Sequence, residues 1–104
     1  MHYLYLLRPT RPELATHPPT DKDEAILEEH LRYLEELEHR GIVVMAGHTT
    51  SEDAQSFEVC ATEAASESAA RDIMNKDPAV WRGIMAAELF PFRVTAMSAS
   101  HAHA

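Results

Sequence analysis

Between Thr20 and Gly41 the chain carries its own start and stop signals for one long helix, and the remaining segments must be arranged around it. Thr20 or Asp21 can cap the start, and Asp23 and Glu24 set negative charge against the positive end of the helix dipole. Ile26, Leu27, Leu31, Leu34 and Leu37 recur at helical spacing. His39 and Arg40 place cations in the last turn, and Gly41 supplies the left-handed stop. Glu28, Glu29, Glu35, Glu36 and Glu38 read as the solvated side of this helix.

Before it lies a strand, His2 to Arg8, ended by Pro9, and four prolines between Pro9 and Pro19 keep the connection a loop. After it come a strand over Ile42–Gly47, a turn-rich stretch from His48 to Gln55, and a strand over Ser56–Ala61. In that third strand Phe57 and Val59 take one face, Glu58 and Cys60 the other. A second helix runs from Ser66, its cap, to Asn75, burying Ala69, Ala70, Ile73 and Met74, and Pro78 forbids its continuation. The fourth strand is expected over Ile84–Met97, where Pro91 marks an edge or a bulge. One domain over residues 1–97 and a flexible tail over 98–104, holding His101 and His103, account for the chain.

The order β-α-β-β-α-β predicts an α+β, ferredoxin-like domain: a four-stranded antiparallel sheet with two helices on one face. Tyr3, Tyr5 and Leu7 oppose Leu4 and Leu6 in the first strand, and Ile42, Val44 and Ala46 oppose Val43 and Met45 in the second. Strands apolar on both faces are buried on both faces. Two helices cover only one, so a homodimer formed sheet to sheet is expected.

A length of 104 residues leaves room for one modest core. Nine basic against 17 acidic side chains, a formal charge of −8, argue against a nucleic-acid partner, since phosphate binding needs clustered Lys and Arg. No apolar run is long enough to span a membrane, and the opening segment has neither the basic leader nor the apolar length of a signal peptide. Cys60 is the single cysteine, so no internal disulfide can form; this fits a reducing, cytoplasmic setting, and its place in mid-strand reads as structural. With three glycines and no Gly-rich phosphate loop, nucleotide chemistry and a nucleotide cofactor are not expected.

Two residues stand out chemically. His30, four after Ile26 and four before Leu34, borders the apolar stripe of the first helix. It reads either as a general acid or base that needs little tuning at neutral pH, or as a core histidine bonded to a carbonyl. Asp77 precedes Pro78, the pattern of a helix start, and a capping carboxylate can still face a cleft. Brought together, Asp77 would orient the imidazole and raise its pKa. Arg11, in the proline-rich loop, can hold a substrate carboxylate or phenolate, or stay solvated. Trp81 can wall an apolar pocket or pack in the core. His48 can supply a second imidazole, as a proton carrier or, with His30 and Asp77, as a metal ligand; the short paired spacing of a metal motif is missing, and no metal site is assigned.

The ordered set of these features resembles the YCII-related family of dimeric α+β barrel proteins, over nearly the whole chain to Met97. The set comprises the Tyr3–Leu7 strand, Arg11-Pro12, the helix with Glu29-His30-Leu31-Arg32-Tyr33-Leu34, Gly41, Ala46-Gly47, Asp77-Pro78, Gly83 and Glu88-Leu89-Phe90-Pro91-Phe92. The resemblance implies a His–Asp active centre, here His30 and Asp77, in a cleft near the dimer interface. One departure is His48, where the family pattern usually has proline after Ala-Gly.

The expected function is therefore a small-molecule enzyme, without a nucleotide cofactor, doing acid/base chemistry of the lyase or isomerase type on an organic, possibly aromatic, substrate. His30 and Asp77 are its catalytic residues, and Arg11, His48 and Trp81 contact substrate. The rival expectation is a metabolite-binding or accessory domain using the same pocket without turnover; a third is a purely structural dimer in which His30 and Asp77 form a buried polar pair.

Overall fold

The computed structural model describes residues 1–98, so the expected tail, with His101 and His103, lies almost wholly outside the described residues. The elements are β1 (His2–Pro9), α1 (Glu13–Thr16), α2 (Asp21–His39), β2 (Val43–His48), β3 (Glu58–Glu63), α3 (Glu67–Lys76), α4 (Pro78–Trp81) and β4 (Met85–Phe92). The four strands form one antiparallel sheet in the order β2-β3-β1-β4, the ferredoxin-like arrangement. The two long helices are those expected. The single turns α1, in the proline-rich loop, and α4, where only a turn was expected, are additional.

Local chemistry sets the helix ends. The Thr20 side chain accepts from the Asp23 amide to start α2, and Gly41, at φ 75°, takes the left-handed position after it. Ser66 caps α3 by accepting from Ala69. The buried stripe of α2 is Asp23, Ile26, His30, Leu34 and Leu37; Leu31, expected on it, is 55% exposed. Tyr5, Leu7, Leu34, Leu37, Val43, Cys60 and Met74 make the central core between sheet and helices. No helix of the described residues is long and apolar enough to cross a membrane.

Three strand expectations are corrected. β3 begins at Glu58: Ser56 and Phe57 lie in the connection from β2, where Phe57 accepts from the Thr49 amide and donates its own amide to the Thr49 side chain. β4 ends at Phe92 instead of Met97, because Phe92 pairs with His2, where β1 begins, and no strand remains to pair with beyond it. In β2 the register slips between Val43 and Met45: Val43 pairs with Thr62 and Met45 with Ala61. The simple alternation from Ile42 to Ala46 is broken there by a bulge. Pro91 lies in β4, an edge strand, as its missing N–H requires.

Candidate functional site

The register of β1 and β3 sends Tyr5 and its partner Cys60 toward the helices, and two residues earlier on β3 Glu58 points the same way. Above them, the α2 stripe places His30 in the space between two leucine-bearing turns. The chain returns to this point at the junction of α3 and α4, where Asp77 ends one helix and caps the next, accepting from the Ala79 amide at 3.0 Å through Oδ1. Asp77 is fully buried and His30 is 5% exposed.

Each group in this cluster is bonded. His30 Nδ1 lies 2.6 Å from Asp77 Oδ1, and His30 Nε2 lies 2.6 Å from Glu58 Oε1. The Tyr5 hydroxyl donates to the other Asp77 oxygen, Oδ2, at 2.8 Å. Among the described residues, no buried side-chain polar atom lacks a partner. Burial works against a charged imidazole, but the hydrogen bonds and charges of Asp77 and Glu58 outweigh it and push the His30 pKa from 6.5 up to about 9. At neutral pH the ring is an imidazolium between two carboxylates. Burial, reinforced by the charges around it, pushes the Tyr5 hydroxyl far above its ordinary value, so it stays a donor. Burial likewise pushes the Cys60 thiol up to about 12, which keeps it a thiol and not a nucleophile.

A cleft of about 320 Å³ opens beside the cluster, lined on its apolar side by Leu7, Leu14, Leu27 and Met85 and on its polar side by His48 and Glu58. Glu58 is the member of the charged cluster that reaches this cleft. His48 is its cross-strand neighbour and donates from Nδ1 to the Thr49 carbonyl at 3.0 Å.

Of the residues singled out in the sequence, His30 and Asp77 are in contact, and His48 is at the adjoining cleft. Arg11 is turned to Asp23, bonded at 2.8 Å, and holds that carboxyl below its ordinary range. Trp81 is 63% exposed with the Arg82 guanidinium 5.2 Å from its ring centre, and neither it nor Arg11 lines the cleft. Both ring nitrogens of His30 are committed to carboxylates, and among the described residues no three His, Cys, Asp or Glu side chains converge as a metal-ligand set. Sequence reasoning missed Glu58 and Tyr5. The β3 alternation placed Glu58 on the Cys60 face, and a carboxylate on a core-facing strand position was the available signal.

A profile of the YCII-related domain matches residues 1–93. The chain belongs to the YCII-related family. Its fold is shared by 5-chloro-2-hydroxyhydroquinone dehydrochlorinase from Burkholderia phenoliruptrix AC1100, solved in complex with 2,5-dihydroxybenzoquinone. The two superpose with a TM-score of 0.65 at 22% identity, over 89% of this chain and 94% of that one. No curated protein sequence matches this YCII-related domain.

Proposed function

We propose that this YCII-related domain is a small-molecule enzyme of the lyase or isomerase type, working by acid/base chemistry at the cleft that Glu58 joins to the buried His30–Asp77 pair. The observation that carries the reading is the buried imidazole held at 2.6 Å by a carboxylate on each ring nitrogen. Keeping an unbalanced charge cluster in a core is costly, and such clusters concentrate at working sites. With a pKa near 9, His30 starts as the acid at neutral pH and becomes a base once it has given up its proton. Asp77, fixed by Tyr5 and Ala79, orients the ring and stabilises its charge. His48 contacts the substrate from the polar wall of the cleft, while Leu7, Leu14, Leu27 and Met85 take its apolar body.

The dehydrochlorinase that shares this fold acts on a small hydroxylated aromatic compound. Elimination from such a ring needs proton transfer and no nucleotide cofactor, which is the equipment this cleft has. In the dimer we propose, two sheets pack face to face through the apolar side that the helices leave open, in a cytoplasmic protein.

The test is turnover of 5-chloro-2-hydroxyhydroquinone and of related chlorinated and hydroxylated aromatics, followed by chloride release and absorbance, with His30→Gln and Asp77→Asn beside the native chain. Turnover lost in both variants, with the fold retained, upholds the reading. Binding of these compounds without turnover in the native chain would favour a metabolite-binding domain, a reading that draws on the cover Glu58 places over His30 Nε2.

A further inference from the structure

Among the described residues, Glu58 is where the buried cluster opens to the cleft. The side chains of His30 and Asp77 are 6% and 0% exposed, whereas that of Glu58 is 15% exposed and lines the cleft. Glu58 Oε1 occupies the position on Nε2 that a substrate atom would need in order to exchange a proton with His30 directly. The opposite ring nitrogen is closed off by Asp77, whose two oxygens are engaged by Tyr5 and Ala79. A ligand in the cleft therefore meets a carboxylate before it meets the imidazole.

We propose that Glu58 is the residue that exchanges protons with the ligand, as the cleft-side end of a relay Asp77–His30–Glu58, and that His30 works through it. The inference rests on the acid/base reading of this cleft. In the donating direction the His30 Nε2–H bond breaks as the Glu58 Oε1–H bond forms. That O–H bond then breaks as the proton passes to an oxygen or carbanion of the ligand, leaving a neutral imidazole and a carboxylate. In the accepting direction the same bonds form and break in reverse. Asp77 keeps its charge throughout and balances the imidazolium. The ligand class this outlet fits is a hydroxylated organic compound whose O–H can bond to the Glu58 carboxylate while its apolar body lies against Leu7, Leu27 and Met85.

Because a proton path to ligand is also a path to water, the relay can be read without any substrate. The measurement is the solvent exchange rate of the two His30 ring N–H protons, by NMR on the full chain carrying ¹⁵N-labelled histidine, at about pH 5.5, below the ordinary histidine pKa of about 6.5. Glu58→Gln keeps the shape and an oxygen acceptor but cannot carry the proton. The expected result is Nε2–H exchange slower by roughly 100-fold, the worth of a positioned acid/base group, with Nδ1–H exchange unchanged. Selectivity for one nitrogen separates the relay from a structural role, since a loosened fold would accelerate both. Glu58→Asp, which withdraws the carboxylate by one methylene, is expected to slow Nε2–H selectively as well, and serves if the glutamine variant does not fold. Nε2–H exchange that is unchanged or faster in both variants overturns the relay while leaving the enzyme reading intact. Selective slowing in a chain that turns over none of the aromatics tested upholds the relay and tells against the enzyme reading. Full turnover retained in Glu58→Gln overturns the relay.

Discussion

The Tyr5 hydroxyl donates to Asp77 Oδ2 at 2.8 Å, joining the middle of β1 to a helix junction 72 residues away. The bond is buried, and it engages Asp77 Oδ2, the oxygen that neither His30 nor the α4 cap uses. Tyr5→Phe keeps the ring in the core and removes only the donor. A buried acceptor left without a partner costs about 1–3 kcal/mol. Urea unfolding of the variant is expected to show a loss in that range, and a variant as stable as the native chain would mean that water replaces the hydroxyl.

Asp77→Asn separates charge from capping, because asparagine caps a helix about as well as aspartate. The α4 start should survive, while His30 loses its strongest support and its pKa should fall from about 9. Breaking a buried ion pair from one side costs about 3–5 kcal/mol. An NMR titration of the His30 ring, assigned with His30→Gln, checks the shift; identical titration in native and variant chains would remove the ionic coupling from the account.

Stability should depend on pH with a sign set by His30. Its folded pKa, about 9, lies above its ordinary 6.5, so the imidazolium contributes fully below about pH 6.5 and the contribution is lost as pH rises to about 9. The loss is on the order of 3 kcal/mol. Asp23, held low by Arg11, acts in the opposite sense: its contribution is lost as pH falls, in the acid range. Urea midpoints between neutrality and pH 9 should therefore decline in the native chain and stay flat in His30→Gln.

The proposed dimer makes a separate prediction. Leu4 and Leu6 of β1 pair with Ala61 and Val59 of β3 on the side of the sheet away from the helices, beside Phe90. Leu6→Lys would put a charge in the centre of that face. Sedimentation velocity is expected to give a dimer for the native chain and a folded monomer for the variant; a native monomer at micromolar concentration would sink the dimer proposal.

Much of this architecture could be read from the sequence because its signals are local. Thr20, Gly41, Ser66 and Asp77-Pro78 act within a few residues of themselves, and the structure uses each as a helix boundary. The His30–Asp77 contact spans 47 residues and could be reached only through family resemblance, since nothing local to either residue specifies the other. The alternation of β3 puts Glu58 on the correct face without naming a partner, because periodicity gives a side chain a direction and no distance. The end of β4 depended on where β1 begins, and the bulge in β2 on how β3 is paired. Both are properties of neighbours that a single strand's pattern does not contain. Trp81 follows Asp77-Pro78 in sequence and Arg11 lies in the proline loop, but sequence nearness does not set a side chain's direction: Trp81 is exposed and Arg11 is bonded to Asp23.

Pro91 has a consequence for how these molecules can fail. β4 is an outer strand, and Phe90 and Phe92 on either side of the proline are each 41% exposed. An apolar outer strand with a full row of free amides would invite another molecule to add its own strand there, and then another, toward insoluble ribbons. The proline, next to last in β4 and between those two phenylalanines, has no amide to offer, so the template is cut short beside its exposed rings. Replacing it with a residue that restores the N–H would leave the cleft untouched and lengthen the shelf on which aggregates can grow.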